Sequence, residues 1–145
     1  MPFAEYDYSQ FPIVHVKMNK SILNEADFEA FKAGWMHCYT YNQDWTFVFD
    51  TANIGPISLK YAMKTASFIK KLKKKLPEDQ FLKKSIIYVS NKTVDYLLKI
   101  VFNLTSPVAP VYLVYSNEPE YLSSVLHLID NREPIPKPIK RYMPS

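Results

Sequence analysis

Residues 45–91 read WTFVFDTANIGPISLKYAMKTASFIKKLKKKLPEDQFLKKSIIYVSN, and this stretch decides the fold because it spells a strand, a helix and a second strand in succession. Trp45 to Phe49 is an aromatic and β-branched run that suits a pleated strand and stops at Asp50. Asn53, Gly55 and Pro56 then punctuate a loop. Ser58 stands where a helix N-cap is wanted, and Pro77 ends the helix after about Leu76. On a helical wheel Leu59, Ala62, Met63, Ala66, Ile69, Leu72 and Leu76 form the arc expected to be buried, while Lys60, Lys64, Lys71 and Lys75 share the opposite stripe. Ser85 to Val89 is almost continuously apolar, as a central strand covered on both faces would be.

Downstream, Asn91 predicts the cap of a helix from Lys92 to about Leu104, whose polar arc is limited to Asp95, Lys99 and Asn103. Pro107 and Pro110 bracket the link to a strand at Val111 to Tyr115, and a fourth helix is expected from Pro119 to about Ile129. Upstream, Phe11 to Met18 alternates as a strand does, and Asn24 caps a helix whose apolar face is Phe28, Phe31, Trp35, Cys38 and Tyr39. The expectation is one α/β domain over residues 11–130, with about four mostly parallel strands alternating with four helices. Residues 1–10 would be an N-terminal extension and 131–145 an extended, proline-rich basic tail.

Composition excludes several functions. Gly34 and Gly55 are the whole glycine complement, too few for a Walker loop or a dinucleotide fingerprint. Cys38 stands alone, and His15, His37 and His127 have no zinc-site spacing, so neither a disulfide, a metal site nor a cofactor is expected. No apolar run approaches the 18 or so residues of a membrane span, and the opening MPFAEYDYSQF is acidic and aromatic rather than signal-like. A soluble cytoplasmic protein is the expectation, with peripheral contact to membranes left open. The sequons at Asn19, Asn91 and Asn103 are read as chance matches.

The segments FVFDTANIGPIS, LKYAMKTASFIKKLKKKLPED, FLKKSIIYVSN and KTVDYLLKIVFNLTSP together resemble the C-terminal half of the CRAL-TRIO lipid-binding domain, the module of phosphatidylinositol-transfer proteins. The order of elements is also similar to the STAS domain, in which a serine at the start of the helix after this loop is phosphorylated. The first resemblance implies a lipid ligand and places the helix at 92–104 near a pocket mouth. The second implies a regulatory protein-interaction domain with Asp50 and Ser58 as a phosphoacceptor loop.

No nucleophile, base and oxyanion partner come together in the sequence, so a non-catalytic binding module is expected. Seven lysines lie between residues 60 and 76 with no acid among them. Lys60, Lys64, Lys71 and Lys75 are the candidates for contact with acidic lipid, a use that competes with a plainly solvated helix face. Nucleic acid is the less favoured anionic partner, because most aromatics lie at buried spacings. Ser58 reads first as a helix cap and second as a phosphoacceptor beside Asp50. Tyr96, Leu98 and Phe102 offer a lipid-facing or dimer-forming surface. The uncharged run VYLVY would seek a protein partner or a second copy if it lay at a sheet edge.

Overall fold

The structure, a computed structural model, describes residues 1–75, 77–89, 91–115 and 139–144. Among these residues there are six strands and three α-helices. The strands are β1 (Ala4–Asp7), β2 (Ile13–Met18), β3 (Trp45–Asp50), β4 (Leu82–Tyr88), β5 (Val111–Val114) and β6 (Ile139–Tyr142). The helices are α1 (Glu25–Tyr39), α2 (Leu59–Leu72) and α3 (Lys92–Leu104), with a 3₁₀ turn at Pro77–Asp79. One mixed sheet takes the strands in chain order, with β2 to β5 parallel and β1 and β6 antiparallel to their neighbours.

The expected four parallel strands are therefore the middle of the sheet, and the architecture differs from expectation at its rims. Residues 4–7, read as extension, form β1, and residues 139–142, read as tail, form β6. VYLVY is consequently interior: β5 pairs with β4 on one side and with β6 on the other. With both its edges paired, β5 leaves no free edge for a second copy to join. The helix expected at 119–129 and the tail residues 131–138 lie outside the described residues.

Parallel neighbours joined in chain order by crossovers of one hand keep their helices on one side. Side chains from α1, α2 and α3 meet the same sheet face, where Met18, Phe49, Ser85, Ile87 and Val111 lie. Strand alternation sorts the rest. Trp45, Phe47 and Phe49 of β3 point into the helix layer together with Val14 and Val16 of β2, and the core gathers there around Trp35, Phe47 and Phe68. Val48 and Ile86 are buried on the second face.

Caps fix where helices begin. Asn24 accepts from the Asp27 amide at 2.9 Å, and Asp27 reaches back to the Leu23 amide at 2.8 Å and to the Lys20 ammonium at 2.9 Å. These donors hold the Asp27 carboxyl below its ordinary range, the Leu23 amide having the largest effect. Asn91 caps α3 through the Val94 amide at 3.1 Å.

Helix α2 is rotated from the expected wheel. Leu59 and Met63 are 60% and 50% exposed, while Tyr61, Ala62, Ala66, Phe68, Ile69 and Leu72 are buried. Turning inward buries two aromatic rings, each with more apolar area than a leucine or methionine provides.

Candidate functional site: a lysine-rich helix end and an apolar cavity

Helix α2 starts at the carboxyl ends of the parallel strands and runs back to their amino ends, so its lysines spread along the height of the molecule. The two upper ones are matched by an acid from α1. Glu25 lies 2.8 Å from Lys64 and 3.4 Å from Lys60. That contact lowers the Glu25 carboxyl and raises the Lys64 ammonium from their ordinary values. The stripe is thus not without compensation, contrary to the reading of α2 alone, because the acid comes from another helix.

Charge concentrates instead at the last turn of α2. Lys70, Lys71 and Lys74 are exposed and make no ion pair among the described residues. Lys73 donates to the Ser106 hydroxyl, and Lys75 stands 4.7 Å above the Tyr39 ring. Five lysines within residues 70–75 thereby sit at the negative end of the helix dipole, which favours their local accumulation. Of the four residues singled out from sequence, Lys71 belongs to this cluster, Lys75 leans on an aromatic beside it, and Lys60 and Lys64 lie apart from it.

Beneath α3, between sheet and helices, is a cavity of about 110 Å³ with an almost wholly apolar lining. A second space of about 30 Å³ shares Trp35, Ile69, Ser85, Phe102 and Val111 with it. Leu98 and Phe102, one helical turn apart, line the larger cavity, and the Phe102 ring also packs 4.7 Å from Tyr142 of β6. Tyr96 is 68% exposed and does not join them. Two polar groups missed in the sequence also border the cavity. Ser85 is 5% exposed, and the Trp35 indole N–H is buried without a hydrogen bond of good geometry, leaning toward the Tyr39 hydroxyl. Sequence spacing carries no sign that either residue would border a void.

Asp50 and Ser58 are each engaged with their own segment. Asp50 accepts from the Ala52 amide at 2.9 Å, and Ser58 accepts from the Tyr61 amide at 3.4 Å. Thr51, between β3 and this loop, donates to the Tyr88 carbonyl and ties the loop to β4. His37 and Cys38 diverge as consecutive helical residues must. Cys38 is buried, which pushes its thiol up to about 12, and His37 packs outside against Tyr8.

Among the described residues no group of three or more His, Cys, Asp or Glu is arranged to hold a metal ion, and no helix is long and apolar enough to cross a membrane. No family model, no curated protein and no solved structure matches the chain.

Proposed function

We propose that the protein is a non-catalytic binding module that recognises acidic lipid surfaces through the end of α2. The observation that carries this reading is the cluster Lys70, Lys71 and Lys74, three exposed ammonium groups without an acidic partner among the described residues, flanked by Lys73 and Lys75. Each lysine near an anionic bilayer contributes on the order of 1 kcal/mol. A cluster of this size therefore gives weak, reversible attachment that weakens steeply with salt. The cavity under α3 adds a place for a short apolar group. An apolar cavity of roughly 150 Å³ takes up benzene or xenon, so 110 Å³ suits the end of a chain rather than a whole lipid.

Co-sedimentation with vesicles tests the reading. The protein should pellet with vesicles containing phosphatidylserine at low salt and stay in solution with phosphatidylcholine alone. The triple change Lys70→Glu, Lys71→Glu and Lys74→Glu should abolish pelleting, whereas Lys60→Glu should reduce it less. Equal pelleting with both vesicle types would overturn the proposal. A second reading, phosphorylation at Ser58, is favoured by its exposure at the N-terminus of a helix whose first turn holds no acid, where a phosphate would meet the positive end of the dipole.

A further inference from the structure

Single exposed leucines are ordinary on a protein surface, but several that adjoin across two helices mark a contact surface. Helices α2 and α3 leave the carboxyl ends of the paired parallel strands β3 and β4, so they run side by side in the same direction, and they pack on each other. At 100° per residue, the neighbours of α2 assign its flanks. Lys60 and Lys64 reach Glu25, and the Tyr61 and Phe68 rings lie 5.8 and 5.3 Å from Phe28 and Trp35, so that flank faces α1. Leu59 and Met63 stand on the other side, outward and toward α3. On α3 the Phe102 ring meets Tyr142, and Asp95 accepts from the Tyr115 hydroxyl, so that flank faces the β5 and β6 end of the sheet. Ile100 and Leu104 occupy the flank toward α2, with Tyr96 at its outer rim.

Leu59, Met63, Tyr96 and Leu104, all exposed, therefore border one outer seam, with Ile100 half-buried among them. Lysines continue it. Lys70 and Lys74 follow Met63 after seven and eleven residues, which brings each back to within about 20° of it on the helix. Lys73 donates to Ser106, two residues past Leu104, so the lower end of the seam closes among ammonium groups.

An occupant of this seam must cover apolar side chains and meet positive charge together. A second copy fits poorly, because either sense of a twofold pairing sets Lys70 and Lys74 against their own equivalents or presses them onto Leu59 and Met63. The boundary of an acidic bilayer supplies both, with anionic headgroups above acyl chains. Tyrosine suits that boundary through its apolar ring and polar tip, and lysine stems reach back from it to the headgroups. We propose that the seam between α2 and α3 inserts Leu59, Met63, Tyr96 and Leu104 at the acyl boundary of an acidic membrane while Lys70 and Lys74 hold the headgroups. This rests on the lipid reading above and adds to it an orientation, with both helices lying in the membrane plane, and an apolar contribution that salt does not screen.

Fluorescence of the full chain tests insertion. The native Trp35 and Trp45 are buried, so Met63→Trp adds a surface indole to a protected background. With vesicles of brominated phosphatidylcholine and phosphatidylserine, the added emission should shift to the blue and be quenched. Lys17→Trp, on the opposite face of the sheet, should show neither effect. Leu59→Ser combined with Met63→Ser alters exposed positions only and should weaken vesicle binding about tenfold at low and high salt alike. The loss caused by Lys70→Glu with Lys74→Glu should instead shrink as salt rises. Vesicle binding by Met63→Trp without shift or quenching would overturn insertion and leave the lysine reading standing, whereas failure of the wild type to bind acidic vesicles would overturn both. A wild-type dimer that the double serine change dissociates would also overturn the proposal, by giving the seam to a second copy.

Discussion

Gly34 shows how one residue decides whether the first strand can dock. A Cβ built there would lie 2.1 Å from the Tyr6 ring, so α1 and β1 approach as they do only because position 34 lacks a side chain. Tyr6 has little freedom to retreat. Its hydroxyl donates to the Phe31 carbonyl at 2.7 Å, and its ring stacks on Tyr8, which donates to the Gly34 carbonyl at 2.9 Å. Gly34→Ala gains helix propensity of up to about 1 kcal/mol but suffers overpacking of about 1–3 kcal/mol. The overpacking should dominate, and the thermal midpoint should fall. A midpoint equal to or above that of the wild type would show that Tyr6 moves aside. None of this was legible in the sequence, where Gly34 interrupts a helix without announcing what lies against it.

At the scale of elements, α1 carries the clearest pH signature. The Asp27 carboxyl is held below its ordinary value by the Leu23 amide and Lys20. A carboxylate depressed in the folded state adds stability above its unfolded pKa of about 4, and that stability disappears as pH falls through the folded value. Asp27→Asn should therefore lower the melting temperature at pH 7 and have a smaller effect below pH 3, flattening the acid limb of the stability curve. An equal loss at both pH values would assign the effect to packing. Caps of this kind were legible, since Asn24, Ser58 and Asn91 were each identified from residue type and the apolar period that follows. The buried face of α2 was not, because Leu59 and Met63 border one flank of the arc shared by Ala62, Ala66, Ile69 and Leu72 while Tyr61 and Phe68 border the other, so a modest rotation exchanges them, and only the partner surface chooses. β1 and β6 escaped for a different reason. AEYD and IKRY are four-residue strands in polar surroundings, and each exists only by pairing with a neighbour already in place.

In the whole molecule both sides of the sheet carry mixed charge. The helix side presents the lysines of α2 with Glu25 beside two of them, while the other face sets Glu5, Asp7 and Asp50 among Lys17, Lys84 and Arg141. The edge strands bear opposite signs. β1 offers Glu5 and Asp7, and β6 offers Lys140 and Arg141, charges that discourage further strand addition where the uncharged VYLV of β5 would have invited it. The parallel centre of the sheet was legible from the alternation of strand and helix. The lysine candidates were only half legible, because Glu25, which neutralises two of them, lies 39 residues from Lys64 in the chain.

Strand order equal to chain order also governs where the protein can be cut and rejoined. β1 and β6 occupy opposite edges, five strand spacings or roughly 24 Å apart. β1 and β6 run in the same direction, so a circular permutant that joins the end of β6 back to the start of β1 must cross that width and also the length of a strand, which together take at least about eight fully extended residues. With a linker of roughly four residues one edge strand must peel away and the permutant should melt well below the natural chain, whereas one of roughly twelve should restore most of the difference. Equal melting of the two would mean that an edge strand contributes nothing to stability. New ends are best opened in the Thr40 to Asp44 turn, whose exposed residues bridge α1 and β3, so that cleavage there would leave every ladder of the sheet intact.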